Sequence, residues 1–154
     1  MGRAAPLEAS APSIRPARVE DAPGLSELLG VLGYPCPREE AAARVLTVRE
    51  DPNQTLLVAE DAGVVVGLMC CDVSFYLPLG ERTCRITALA VRDGAQRNGV
   101  GRLLLREAET LARSAAAVRI ELTSAQSREQ AHAFYRACGY SDGALRFVKR
   151  LGEA

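Results

Sequence analysis

Three glycines, Gly94, Gly99 and Gly101, fall in or just after a polar stretch, Arg92 to Asn98, that separates two apolar patterns. Before it, Ile86 to Val91 is rich in residues suited to a buried strand. After it, Leu104, Leu105, Ala108, Leu111 and Ala112 recur at the spacing of an amphipathic helix. A strand, a glycine-bearing turn and a helix together make a seat for an anion, usually a phosphate. The first N–H groups of a helix lack intrahelical acceptors, and the helix dipole puts partial positive charge at the same end. Gly99 and Gly101 let an oxyanion approach the backbone from Arg97 to Arg102 closely, and Arg97 and Arg102 add cationic donors. Spacing separates the known versions of this device. Gly94 and Gly99 have the glycine spacing of a P-loop, but Val100 and Gly101 stand where Lys and Ser or Thr are required. Gly99 and Gly101 open a dinucleotide fingerprint, but Leu104 replaces its third glycine.

The pattern that does fit is Q/R-x-x-G-x-G/A, present as Gln96-Arg97-Asn98-Gly99-Val100-Gly101 directly after Leu89-Ala90-Val91. Further along, Ile120 to Tyr140 reads IELTSAQSREQAHAFYRACGY: a strand, a loop, a helix with Phe134-Tyr135, then Cys138-Gly139-Tyr140. The two patterns, in this order, resemble the GNAT superfamily of N-acetyltransferases over roughly Ile14 to Leu151. Within it, Thr123 to Leu151 is most similar to small bacterial members such as the aminoalkylphosphonate N-acetyltransferases. The resemblance implies an α/β fold: one domain with a mixed, mostly antiparallel sheet, helices on both faces and a splayed central strand pair. It also implies acetyl-CoA as cosubstrate and a primary amine as acceptor.

Site residues follow from the same resemblance. The cofactor site would comprise Leu89, Ala90, Val91, Gln96, Arg97, Asn98, Gly99, Val100, Gly101 and Arg102, with a backbone N–H near Leu89 to Val91 as the oxyanion donor. Arg128 stands where many relatives carry Asn, and its guanidinium can reach a CoA phosphate instead. Tyr135 matches the family's general acid. A phenol of pKa about 10 is protonated at neutral pH and can donate to a thiolate whose thiol has a pKa of about 8.5. Thr87 occupies the place where many relatives carry a glutamate base. The next carboxylate is Glu121, which faces the opposite side of its strand from Ile120 and Leu122. It is read either as a catalytic base or as an arginine-paired strand carboxylate. Tyr34, in the loop Gly33 to Pro37, is a candidate acceptor contact or a packing residue. Tyr76, in the apolar stretch Ser74 to Arg82, packs either on the acceptor pocket or on a second subunit. His132, one helical turn from Arg128 and Tyr135, is read as structural.

Without a strong side-chain base, acceptor basicity matters. Neutralising a lysine-like amine of pKa about 10.4 at pH 7 costs about 4.6 kcal/mol, against about 1.4 for an α-amine of pKa about 8. Small-molecule amine acetylation is the leading reading. Acetylation of a protein N-terminus or lysine is a second. A catalytically silent acetyl-CoA-binding regulator is a third, motivated by Thr87 and opposed by Tyr135.

The chain has 154 residues, enough for one core, and its 19 basic and 19 acidic residues argue against a nucleic acid or membrane surface as partner. No apolar run is long enough for a membrane helix and no signal-type segment opens the chain, which leads to the expectation of a cytoplasmic protein. Cysteines 36, 70, 71, 84 and 138 show no C-x-x-C spacing and read as reduced, mostly buried thiols. With His132 the only histidine, no metal site is expected. Dimers are frequent in the resembled superfamily, so a homodimer is one expected assembly.

The elements that must position the site are read as follows. Residues 1–13 form a flexible tail and 14–154 the acetyltransferase domain. Ile14 to Ala17 is a first strand. A helix capped by Glu20 or Asp21 carries Leu25, Leu28, Leu29 and Leu32 and stops at Gly33, and a second runs from Arg38 to Arg49. Gln54 to Glu60 and Val64 to Val73 flank Asp61-Ala62-Gly63 as a hairpin. Ser74 to Arg82 is a loop, and Thr83 to Val91 the central strand, with an irregularity near Ala88 to Val91. Val118 to Thr123 is its splayed neighbour, Ser127 to Ala137 the last helix, and Leu145 to Leu151 an edge strand.

Overall fold

The computed structural model describes residues 11–96, 98–124 and 128–152. The chain divides into two compact units, Met1–Glu121 and Leu122–Ala154.

The first unit holds the sheet. Strand β1 (Ser13–Pro16) is followed by a short 3-10 turn at Val19–Asp21, helices α1 (Ala22–Val31) and α2 (Arg38–Glu50), then strands β2 (Gln54–Asp61), β3 (Val64–Tyr76) and β4 (Glu81–Val91). Helix α3 (Val100–Ser114) leads into β5 (Ala117–Leu122), and the sheet order is β1-β2-β3-β4-β5. The pairs β1–β2, β2–β3 and β3–β4 are antiparallel. α3 is the crossover that carries the chain from β4 to its neighbour β5, the connection that parallel strands need. A residue-by-residue register runs from β1 to β4, and β5 is hydrogen-bonded beside β4 as the last strand of the sheet. The mixed five-stranded sheet expected from the sequence is therefore present.

Alternation along β3 explains the layers. Leu68 pairs with Val58 on one side and Ala90 on the other, and these join Leu25, Leu28, Ala41 and Val45 of α1 and α2 in one core cluster. Gly67, one residue away, faces α3. A Cβ there would lie 3.0 Å from Leu104 Cδ1 and 3.0 Å from Val100 Cγ1, so glycine is what allows the helix to sit close against the strand. Val100, Leu104, Leu105, Ala108 and Ala112 are the buried stripe of α3. No helix of the described residues is long and apolar enough to cross a membrane.

At the start of the sheet, Arg15 grips Asp21 through two hydrogen bonds of 2.8 Å and Glu60 through one of 2.7 Å. Asp21 Oδ2 also accepts the Arg18 backbone N–H at 2.7 Å, so the expected helix cap instead caps the 3-10 turn. The Arg15 hydrogen bonds hold the Asp21 carboxyl below the usual carboxylate range, against the opposing pull of burial. A lowered folded-state pKa gives stability that is present above the unfolded value of about 4 and lost as pH falls through the folded value. Asp21→Asn should cost roughly 3 kcal/mol at pH 7, because Arg15 is left poorly compensated. Urea unfolding at pH 7 and pH 3 checks this: the difference between wild type and variant should shrink at the lower pH.

Several boundaries differ from expectation. The Ser74 to Arg82 stretch is mostly hairpin: Phe75 pairs with Arg82 and Tyr76 with Glu81, leaving a turn at 77–80. The reason is continued pairing of β3 and β4 beyond the core, which local composition does not reveal. The β2–β3 turn has Ala62 at φ 49° and Gly63 at φ 81°, the two positive values of a type I′ hairpin. The irregularity in β4 lies at Thr87, since Cys70 pairs with Ala88 and Cys71 with Ile86, just before the segment where it was expected.

The second unit contains helix α4 (Glu129–Ala137) and the chain after it. The expected helix start at Ser127 lies outside the described residues. The edge strand expected at Leu145 to Leu151 is not formed: those residues have no strand structure, and Leu145, Phe147, Val148 and Leu151 are all exposed. Leu145, Phe147 and Leu151 would share one face of such a strand, interrupted by Lys149, but that face is not buried against anything here, and propensity alone does not form a strand.

Candidate active site

β4 ends at Val91, and the chain turns through 92–99 into α3. The Gln96 amide donates to the Val91 carbonyl at 3.2 Å and to Asp93 at 3.2 Å, tying the turn to the strand end. Arg92 pairs with Glu27 at 2.7 Å, which fastens the same strand end to α1. Gly99 is the N-cap of α3 at φ 76°, with no side-chain cap, and nothing lies within 4 Å of where its Cβ would be. Val100 and Gly101 are buried, while Asn98, Gly99 and Arg102 are exposed. The entrance to α3 thus offers uncapped backbone N–H groups to open space, with the Arg102 cation beside them. Those features fit the diphosphate of CoA. Arg97 lies outside the described residues. Leu89, Ala90 and Val91 pair with Met69, Leu68 and Gly67 on the β3 side. On the other side of β4 lies β5, the next strand of the sheet.

The sheet face that carries α1 and α2 over Leu68 and Ala90 continues beyond those helices as a polar pocket of about 400 Å³. β3 contributes Asp72, Ser74 and Tyr76, β4 contributes Thr83, Arg85 and Thr87, and β5 contributes Glu121. Period-2 alternation puts them together: Asp72 pairs with Arg85 and Ser74 with Thr83. Tyr76 and Glu121 are therefore brought into one pocket, whereas Tyr34 does not line it and is 64% exposed. Sequence reasoning missed Asp72, Thr83 and Arg85. Their signal was the polar spacing Asp72-x-Ser74 and Thr83-x-Arg85-x-Thr87 in otherwise apolar strands.

Glu121 is held by two guanidinium groups. Its Oε1 accepts Arg85 Nε at 3.0 Å and lies 2.9 Å from Nη2, and its Oε2 lies 3.3 Å from Arg119 Nη2. This is the arginine-paired arrangement, with each carboxylate oxygen facing a guanidinium. Arg119 also sits over the Tyr76 ring at 4.9 Å. Thr87 uses its hydroxyl hydrogen on the Cys70 carbonyl at 3.3 Å.

In the second unit, Tyr135 is half-buried on α4, with its ring 5.4 Å from that of Phe134 and 6.2 Å from that of Tyr140. Burial pushes its phenol above the ordinary value, partly offset by the positive charge of Arg128. It is therefore protonated at neutral pH, as a proton donor must be. Arg128 is the exposed residue at the head of α4, and its carbonyl accepts the His132 backbone N–H at 3.1 Å.

Comparison with known proteins places these features in context. The pattern of the Acetyltransferase (GNAT) family matches residues 24–140. The chain is 34% identical over 120 residues to an aminoalkylphosphonate N-acetyltransferase of Salmonella typhimurium, covering 78% of this chain and 75% of that one. Among solved structures, a transcriptional regulator from Bacillus halodurans superposes with a TM-score of 0.83 at 24% identity, over 92% of this chain and 100% of the other. An aminoglycoside N-acetyltransferase in complex with CoA superposes with a TM-score of 0.82 at 13% identity, over 94% and 97%. These two support the fold alone. With a family pattern spanning most of its length and a curated relative above 30% identity, this chain belongs to the acetyltransferase (GNAT) family and is an acetyl-CoA-dependent N-acetyltransferase.

Proposed function

We propose that the protein acetylates the primary amine of a small molecule by direct attack of the amine on the thioester of acetyl-CoA. The observation that carries this reading is the pocket of about 400 Å³ on the β3–β4–β5 face, a volume suited to a small acceptor. Bound acetyl-CoA supplies an activated acyl carbon. The amine nitrogen forms a bond to it, the C–S bond breaks, the nitrogen loses a proton and the departing sulfur gains one. This chain's part is to hold the diphosphate on the N–H groups from Gln96 to Arg102 and to orient the amine in the polar pocket. Tyr135 is the proposed donor of the proton to sulfur, and Arg128 a proposed phosphate contact. The proposed oxyanion donor is a backbone N–H in Leu89 to Val91. Glu121 is proposed to orient Arg85 and Arg119, since both its oxygens are already engaged.

Following thiol release with a panel of amines tests the reading. Turnover with small amines supports it, whereas turnover only with peptides, or CoA binding with no turnover, contradicts it. The diphosphate seat has its own test. Gly99→Val forces a β-branched residue into a left-handed backbone and puts methyls in the anion's path, so CoA affinity should fall about tenfold or more by calorimetry.

A further inference from the structure

The β3–β4 hairpin reaches beyond the strand beside it. β2 pairs with β3 as far as Asp72, and the Val73 N–H still reaches the Asn53 carbonyl at 2.9 Å. Ser74, Phe75 and Tyr76 pair only with β4 among the described residues. The tip of this overhang is apolar. Phe75 is 64% exposed, and in the turn that follows Leu77 is 81% and Leu79 48% exposed. β5 adds a fourth such residue. Arg119 lies over the Tyr76 ring, so Val118, its neighbour along the strand, faces the side that carries Phe75, and it is 60% exposed. These four side chains leave on the order of 400 Å² of apolar surface in water, the size of patch that marks an interaction site on a monomer.

Area and charge both fit this patch to a second copy of itself. Two such patches face to face, with their polar rims, bury about the 1,000 Å² in total that a specific interface needs. The rim carries one exposed charge of each sign, Glu81 and Arg82, and neither has an ion-pair partner among the described residues. A two-fold axis can therefore set Glu81 of each copy against Arg82 of the other. The chain as a whole carries 19 basic and 19 acidic residues, so two copies approach without net repulsion.

We propose that two copies of this chain associate about a two-fold axis through the tips of their β3–β4 hairpins, with Phe75, Leu77, Leu79 and Val118 of each at the centre. The contact supplies the neighbour that β2 does not provide beyond Val73. It thereby steadies the strand end that carries Ser74 and Tyr76 into the pocket.

Sedimentation velocity of the purified chain from about 1 to about 200 µM tests the contact. Wild type should reach twice the single-chain mass within that range. Phe75→Lys/Leu77→Lys sets cations of each copy against those of the other in an apolar centre, and should weaken the dimer about tenfold or more. Should that double variant unfold, Leu77→Lys alone, a change at an exposed turn residue, gives the same comparison. Glu81→Arg and Arg82→Glu should each weaken the dimer about threefold or more, and the exchange Glu81→Arg/Arg82→Glu should return it to within about twofold of wild type. At a concentration where wild type is dimeric, hydrogen exchange at residues 73–76 should be slower than in Leu77→Lys at the same concentration. A single-chain mass throughout the range, or a dimer unmoved by Leu77→Lys, overturns the proposal. A charge exchange that fails to restore the dimer overturns the two-fold pairing of Glu81 with Arg82, and equal hydrogen exchange in the two proteins overturns the steadying of the strand end.

Discussion

Tyr135→Phe should lower kcat about 100- to 1000-fold, the usual worth of a positioned general acid, with KM for acetyl-CoA changed less than about threefold. The ring contacts with Phe134 and Tyr140 survive the substitution, so only the hydroxyl is lost. The proton it supplies matters because the sulfur otherwise leaves as an anion. The raised phenol pKa keeps that proton in place through neutral pH. Steady-state thiol release measures the effect. A variant within threefold of wild type would remove Tyr135 from the chemistry.

The second large effect is pH dependence. Thr87 cannot act as a strong base, its hydroxyl is committed to the Cys70 carbonyl, and Glu121 is occupied by Arg85 and Arg119. The neutral amine must then come largely from solution. Below the amine's pKa its neutral fraction rises tenfold per pH unit, so with an acceptor of pKa about 10.4 the rate should climb about 1000-fold between pH 6 and pH 9. For an acceptor of pKa about 8 the climb should flatten above that value. The descending limb belongs to loss of the Tyr135 proton, and because its pKa is raised, that limb falls above about pH 10. A profile that levels off near pH 7 for both acceptors would reveal a strong base in the protein and contradict this account.

Local signals carried much of this structure. The spacing of Leu104, Leu105, Ala108 and Ala112 predicts the buried stripe of α3, and Asp61-Ala62-Gly63 predicts a tight hairpin whose two positive φ values are observed. The open helix entrance at Gly99 was legible because glycine placement and helix onset are both local. The pocket was not, because its chemistry depends on register. Asp72 and Arg85 come face to face only once β3 and β4 pair, and the bulge at Thr87 sets which residues share that face. The Glu121 partnership with Arg85 spans 36 positions and could not be read from either strand alone. At the C-terminus the apolar content of Leu145 to Leu151 suggested a strand, but propensity without a paired neighbour and a buried face does not make one.

The central claim is that the turn between β4 and α3 seats the diphosphate of CoA, and calorimetric titration of CoA into the purified protein tests it most directly. The account predicts saturable one-site binding that weakens about tenfold or more in Gly99→Val. Absence of CoA binding in the folded wild-type protein, or an affinity untouched by that substitution, would contradict it.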